Sequence, residues 1–381
     1  MTGFPLPPNA TIGIVGGGQL GRMSAMAAAR LGYRCHIFSP EPDAPASQVA
    51  AATTRADYDD NAALLRFADA VDVITFEFEN VSAEGLDLLA DRRPVRPGPE
   101  ILRISQDRIA EKRFLNEAGI GTAPWAPVQT MADLTAAIAA IGLPAVLKTT
   151  RLGYDGKGQA LIRTEAEAEM AFGLLHPKPL ILEGFVDFAA EGSVVVARGA
   201  EGTVSAFDMV ENRHRDHILD LTLAPAPFDP ALRETAREMA RLVAERIGLV
   251  GLLAVEFFIG RDGRVLANEI APRPHNSGHW TIDACPASQF ELHIRAVAGL
   301  PLPPAIRHSD AVMKNLVGPD DIALWPRIVA TAGLIPHHYG KTAARPGRKL
   351  GHVNVLFPHG ALPGEFGIQA ALGPLASGAD Q

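Results

Sequence analysis

The sequence predicts an α/β protein in three parts: a parallel-sheet domain over 1–104, a central domain over 105–305 with a small α/β lid at about 122–187, and a β-rich domain over 306–381. Three observations carry this expectation. Short apolar runs alternate with amphipathic helical segments through the first 90 positions, the pattern of strands joined by crossover helices. Apolar runs at 252–259 and 265–270 flank Asp262-Gly263 and read as a hairpin. Beyond the proline-rich linker at 301–304, β-type runs return at 311–316 and 353–356.

Composition narrows the function. With 381 residues, 47% hydrophobic and 20% charged, the chain is globular and long enough for two or three cores. A formal charge of −8 leaves no basic footprint for nucleic acid or an anionic membrane. Cys35 and Cys285 lie too far apart for a zinc or disulfide pattern, so a reducing cytoplasm is expected. The first ten residues lack a basic segment followed by an apolar one, and no apolar stretch reaches the ~18 residues of a membrane span.

The first strand, Thr11-Ile12-Gly13-Ile14-Val15, runs directly into Gly16-Gly17-Gly18-Gln19-Leu20-Gly21, which opens a helix with Leu20, Met23, Ala27 and Leu31 on one face. This GxGxxG suits a dinucleotide, another phosphate at the helix N-terminus, or a tight strand-to-helix turn. The dinucleotide reading, which would make the chain an NAD-dependent oxidoreductase, also needs an acid closing the second strand, at 35–38. Ser39-Pro40 stand there instead. A helix at 62–70, a strand at 73–76 and a helix at 82–89 continue the unit, and Glu77 and Glu79 leave its last strand where a parallel sheet faces its ligand.

Proline and arginine over 92–99 mark a boundary, and Ser105 is expected to cap a helix ending near Ala118. Arg108 in its first turn sits against the positive helix end, which favours a compensating anion. Next, a strand at 145–148 enters Arg151-Leu152-Gly153-Tyr154-Asp155-Gly156-Lys157-Gly158-Gln159, and a strand at 160–162 leaves it. Glycines and cations between two strands make a flap whose N–H groups can wrap phosphates; it lacks the GKS or GKT of a Walker loop. Lys148 closes an apolar strand, so burial requires an anionic partner. The apolar strand ending in Glu183-Gly184-Phe185-Val186 offers an edge to an adenine ring, and Glu191 can accept two ribose hydroxyls. His214, among charges, reads as a surface residue. The helix at 231–247 has one apolar face and reads as support.

A two-residue type I′ turn at Asp262-Gly263 would pair Arg261 with Arg264 and, counting outward, set Glu256 opposite Glu269. Their Cβ atoms would then lie roughly 5 Å apart. Two carboxylates so close call for a cation, and an all-oxygen set favours magnesium completed by phosphate oxygens. After Trp280 comes a helix at 288–298. Near the end, Lys341, Arg345, Arg348 and Lys349 on a turn-rich loop can close over a phosphate monoester. The last residues, 373–381, are expected to fray.

Together, Gly153-Tyr154-Asp155-Gly156-Lys157-Gly158-Gln159 and Asn268-Glu269-Ile270-Ala271-Pro272-Arg273-Pro274-His275-Asn276-Ser277-Gly278-His279-Trp280-Thr281 resemble the ATP-grasp superfamily, and within it the 5-(carboxyamino)imidazole ribonucleotide synthase family. The resemblance spans about 11–357 and implies an ATP-grasp fold with a Rossmann-like N-terminal domain. It implies ATP at Arg108, Lys148, the flap Gly153, Tyr154, Asp155, Gly156, Lys157, Gly158 and Gln159, then Glu183, Gly184, Phe185, Val186, Glu191, His214, Asn268 and Glu269. Magnesium falls to Glu256 and Glu269. For 5-aminoimidazole ribonucleotide and bicarbonate it implies Gly18, Gln19, Leu20, Glu77, Tyr154, Asp155, Arg273, His275, Asn276, Ser277, Lys341 and Arg348. Asp155, Lys148, Arg273 and His275 would be catalytic, and the family resemblance also implies a homodimer. Ser39 departs from the family, where many relatives carry an acid. Rival readings are another ATP-grasp ligase, such as a formate-using glycinamide ribonucleotide transformylase or a biotin carboxylase, and a nucleotide-binding regulator without turnover.

Overall fold

The computed structural model describes residues 3–79, 81–151 and 158–375. Strands β1 (Thr11–Val15), β2 (Arg34–Phe38), β3 (Ala52–Thr54) and β4 (Val73–Phe76) form a sheet in the order β3-β2-β1-β4, parallel throughout. Helices cover both faces, which is why β1 and β4 read as continuous apolar runs. On one side Ile12 and Ile14 pack with Ala25 and Ala28 of helix Gln19–Arg30, and with Ile294 and Val297 of the late helix Gln289–Ala298. On the other, Phe38 and Phe76 meet Leu64, Phe67 and Leu86.

The helix expected from Ser105 starts at Arg108 and runs to Glu117; Ser105 instead lies in a separate preceding helix, Pro99–Gln106, its hydroxyl donating to the Leu102 carbonyl. Asp107 between them is extended, and its carboxylate accepts from the N–H groups of Ile109 and Ala110. That cap restarts the helix one residue before Arg108, which fixes where the arginine points.

Strands β5 (Trp125–Val128), β6 (Ala145–Thr149), β7 (Gln159–Ile162) and β8 (Leu180–Gly184) make an antiparallel sheet ordered β5-β8-β6-β7. Alternation sorts its faces. Ala145 and Leu147 join a core with helices Met131–Ile141 and Glu165–Leu175, while Val146 and Lys148 point the other way, into a cleft.

A nine-stranded antiparallel sheet follows: β9 (Phe188–Arg198), β10 (Val204–Ala206), β11 (Val210–Arg215), β12 (Ile218–Ala224), β13 (Gly251–Gly260), β14 (Val265–Ala271), β15 (Ser309–Val317), β16 (Leu334–His338) and β17 (Lys349–Pro358). The order is β14-β13-β9-β11-β12-β15-β17-β16, with β10 beside β9. β12 pairs directly with β15, so one ladder runs across position 305 and leaves no open edge there. Val194, Val196, Leu253 and Val255 pack on helix Pro230–Arg246; Val195, Ala197, Leu252 and Ala254 pack on Leu292 and Ala296 from the opposite side. Among the described residues, no helix is long and apolar enough to cross a membrane.

The β13–β14 turn corrects the expected two-residue geometry. Gly260 N–H donates to the Arg264 carbonyl at 2.9 Å and Gly263 N–H to the Gly260 carbonyl at 3.0 Å, so the loop has three residues, ending in Gly263 at φ +79. A type I turn closed by a left-handed glycine is the usual solution for that length.

Candidate functional site

A cleft of about 630 Å³ opens between the β5–β8 sheet and the β13–β14 end of the large sheet. Its walls bring together Arg108, Lys148, Gln159, Glu183, Gly184, Phe185, Val186, Glu191, His214, Glu256, Asn268, Glu269, Arg273, His275 and Asn276. Gly153, Tyr154, Asp155, Gly156 and Lys157 lie outside the described residues. Gly158 immediately precedes the return strand, its carbonyl accepting from Thr149 N–H at 2.9 Å.

Glu256 does pair with Glu269, through two irregularities that cancel. The three-residue loop shifts the register by one, so Phe257 faces Ala267; a bulge then shifts it back, and Asn268 is the extra residue on β14. In a regular strand neighbours point to opposite faces, but at a bulge two consecutive residues can serve one side. Asn268 and Glu269 both line the cleft for this reason.

The two acids have unlike environments. His275 Nε2 lies 3.0 Å from Glu256 Oε1, and Arg108 Nη1 lies 3.5 Å from Glu269 Oε2. Burial raises the Glu256 carboxyl, but the hydrogen bond with His275 and the charges of His214 and Arg273 outweigh it, so its pKa falls below the ordinary value. Burial also raises Glu269; the negative charge of Glu256 adds to that, Arg108 opposes it, and the net shift is upward. A second carboxylate held at such a cost fits a site built for a divalent cation. Among the described residues no cluster of three or more His, Cys, Asp or Glu ligands is assembled. Two carboxylates with no third acidic, histidine or cysteine ligand among the described residues suit magnesium, which takes its remaining oxygens from phosphates and water.

Behind Glu269 lies a cationic cluster. Lys148 Nζ donates to Glu183 Oε2 at 3.1 Å, and Lys112 Nζ, with 1% of its side chain exposed, is 3.6 Å from the same oxygen. Lys112 also donates to the Asn268 carbonyl at 2.6 Å, which holds the bulge in place. Burial lowers the Lys148 pKa, with Arg108 and Lys112 adding to the effect against Glu183. Burial would raise Glu183, yet Lys112 and Lys148 bring it below its ordinary value. The Glu183 side chain thus pairs with both lysines. Glu191 Oε2 and His214 Nδ1 are 2.8 Å apart, which joins the supposed surface histidine to the cleft. Burial lowers His214, while the bond and charge of Glu191 raise it overall.

The glycine-rich loop holds an internal anion. Gly18 N–H donates to Glu77 Oε1 at 2.6 Å and Gly21 N–H to Oε2 at 3.0 Å, so this carboxylate takes the place a phosphate would have at the helix N-terminus. A Cβ at Gly18 would sit 2.6 Å from Glu77 Oε1, and one at Gly17 would sit 2.7 Å from Ser39 Oγ. These glycines make room for Glu77 and Ser39, which removes the geometric case for a dinucleotide. Burial raises the Glu77 pKa against Gly21, Gly18, Arg273 and Lys341. Gln19 opens the helix, and the Leu20 side chain packs with Met23, Phe290 and Tyr339.

Arg273 Nη2 lies 2.9 Å from Glu79 Oε1. Burial, then Arg348, lowers Lys341 to about 8, and Glu77 opposes the shift. Lys341 Nζ donates to the Lys349 carbonyl at 2.8 Å, and Arg348 Nη1 to the Ala343 carbonyl at 3.1 Å. Ser277 is fully buried, its hydroxyl 2.8 Å from His275 Nδ1. Asn276 is 8% exposed, and neither its Nδ2 nor its Oδ1 has a partner among the described residues, so both are free to meet a ligand.

Sequence reasoning missed Lys112, Glu111 and Gln289. Lys112 shares a helix face with Arg108 at four-residue spacing, a signal that was there to use. Glu111 Oε1 accepts from Ile270 N–H at 2.6 Å, and burial, against Lys112, pushes its carboxyl up to about 8. Gln289 grips the loop: its Oε1 accepts from His275 N–H at 2.9 Å and its Nε2 donates to the His275 carbonyl at 2.7 Å. No local pattern announces that contact.

Known proteins match along the chain. Family models describe residues 9–106 as a ribonucleotide synthetase preATP-grasp domain, 113–290 as an ATP-grasp domain and 311–361 as a phosphoribosylaminoimidazole carboxylase C-terminal domain. The N5-carboxyaminoimidazole ribonucleotide synthase of Brucella melitensis is 52% identical over 93% of this chain and 98% of its own; that of Bacillus subtilis is 44% identical over 92% of each. Among solved structures, the Staphylococcus aureus N5-carboxyaminoimidazole synthetase complexed with ADP has a TM-score of 0.91 at 38% identity, covering 98% of both chains. The Aspergillus clavatus synthase, in complex with ADP and 5-aminoimidazole ribonucleotide, has 0.88 at 29%, covering 96% of this chain and 97% of that one. The chain belongs to the N5-carboxyaminoimidazole ribonucleotide synthase family and has its ATP-grasp fold.

Proposed function

We propose that the protein is a ligase that uses ATP and bicarbonate to carboxylate the amine of 5-aminoimidazole ribonucleotide. The products are 5-(carboxyamino)imidazole ribonucleotide, ADP and phosphate, with carboxyphosphate formed on the way. The observation that carries this reading is the Glu256–Glu269 pair, set between the Lys148–Lys112–Glu183 cluster on one side and Arg273 with His275 on the other.

Bicarbonate is a poor electrophile, and phosphorylation turns it into a mixed anhydride that an amine can attack. Positioning and charge neutralisation supply most of that catalysis. Lys148 and Arg108 stand at the phosphate end of the cleft, the edge of β8 offers Gly184 to Val186 to adenine, and Glu191 with His214 faces the ribose. Glu256 and Glu269 would hold magnesium, which when bound neutralises phosphate charge. Arg273, His275 and Asn276 receive bicarbonate, while Glu77, Lys341 and Arg348 hold the ribonucleotide, the two cations on its phosphate. Asp155, in the Gly153–Gln159 motif, orients the amine or takes its proton. Family matches at 9–106, 113–290 and 311–361 support domains divided near 104 and 305, and the separate β5–β8 sheet supports a lid at about 122–187. A cytoplasmic homodimer belongs to the same proposal, and two unpaired buried cysteines agree with a reducing compartment.

The test is ADP release measured with each substrate omitted in turn. The reading requires release that depends on both bicarbonate and 5-aminoimidazole ribonucleotide. Stimulation by formate and glycinamide ribonucleotide would replace it with a sister ligase.

A further inference from the structure

Beneath His275 a row of buried polar side chains crosses the sheet. Thr222 on β12, Asn212 on β11 and Ser193 on β9 are buried, as is Ser277. Thr222 Oγ1 donates to Asn212 Oδ1 at 3.1 Å, and Asn212 Nδ2 to Ser193 Oγ at 2.9 Å. Ser193 Oγ is 2.6 Å from Ser277 Oγ, which is 2.8 Å from His275 Nδ1. The row ends at His275 Nε2, 3.0 Å from Glu256 Oε1.

Two fixed groups set its direction. Ser277 N–H, which can only donate, points at His275 Nδ1 at 3.4 Å. The Glu256 carboxylate can only accept. Nδ1 is therefore an acceptor and Nε2 carries the hydrogen. Working back, Ser277 donates to His275, Ser193 to Ser277, and Asn212 to Ser193, so every link is satisfied in one sense only.

We infer that Ser193 and Asn212 are positioning residues which hold His275 with its hydrogen on Nε2, donated to Glu256 beside the acceptor-substrate end of the cleft. The inference rests on the reading of His275 as a substrate-site residue. It assigns that residue the work of donating to the Glu256 carboxylate.

The test reads the ring nitrogens directly, by ¹⁵N NMR of histidine-labelled full-length protein at rest, without substrate or divalent ion. The wild type should show hydrogen on Nε2. Asn212→Asp keeps the shape but can only accept, so it turns the Ser193 and Ser277 hydroxyls round and should bring hydrogen onto Nδ1. Ser193→Ala added to Asn212→Asp cuts the row and should return hydrogen to Nε2 alone. Carboxylation by Asn212→Asp should fall by roughly tenfold, the scale of one hydrogen bond. Hydrogen on Nδ1 in the wild type, an unchanged spectrum in Asn212→Asp, or Nδ1 hydrogen persisting in the double variant overturns the inference. Failure of the proposed reaction would show in the turnover assay and leave the resting spectra untouched.

Discussion

Glu256 and Glu269 face each other across β13 and β14, yet one is held by His275 at 3.0 Å and the other by Arg108 at 3.5 Å. If a divalent ion joins them to the nucleotide, either acid alone is insufficient. Glu256→Gln and Glu269→Gln should each weaken Mg-ADP binding by roughly tenfold or more. Binding of metal-free ADP should stay within a few fold. Calorimetric titrations with magnesium and with chelator separate the two.

Lys112 is a buried cation that holds both Glu183 and the bulge carbonyl of Asn268. Lys112→Met leaves Glu183 with Lys148 alone and the bulge untied. We expect a loss of about 3 kcal/mol in urea unfolding, at the lower end for breaking a buried pair because Lys148 remains. Unfolding midpoints for the two proteins check it.

Glu111 gives the stability a pH dependence. Its carboxyl titrates at about 8 when folded and near 4.5 when free, chiefly because burial opposes its charge. Between those values the folded protein keeps a proton that the unfolded chain has released, so this group's contribution falls as pH rises from about 4.5 to about 8. Glu111→Gln removes that slope and keeps an acceptor for Ile270 N–H. Thermal melts of both proteins, without ligand, across this window are the measurement.

Lys341 should tie ribonucleotide affinity to alkaline pH. Burial and Arg348 bring its pKa to about 8, so the free protein loses this cation as pH rises through that value. A phosphate dianion favours the charged form, and binding above pH 8 should take up a proton. Affinity for 5-aminoimidazole ribonucleotide should then weaken by up to about tenfold per pH unit. In Lys341→Met the dependence should vanish, as fluorescence or calorimetric titrations from pH 7 to 9.5 would report.

Legibility in the sequence followed distance along the chain. Alternating strands and helices, the β13–β14 hairpin and its facing acids are local patterns, and they were readable. The acids met in the expected register although the turn differed, because the Asn268 bulge undid the shift made by the three-residue loop. The glycine loop shows the limit: its spacing suits a phosphate, and nothing local reveals that Glu77, 59 positions beyond Gly18, fills that place. The pairing of β12 with β15, the grip of Gln289 on His275 and the burial of Lys112 are likewise products of packing between distant segments.

A carbon–nitrogen bond made at the expense of ATP can be followed with ¹³C-labelled bicarbonate. Incubated with the protein, Mg-ATP and 5-aminoimidazole ribonucleotide, the label should move into a carbamate carbon on the ribonucleotide amine, seen by NMR, in step with ADP. ADP released while all the label stays in bicarbonate, or label transfer that does not require ATP, would contradict the account.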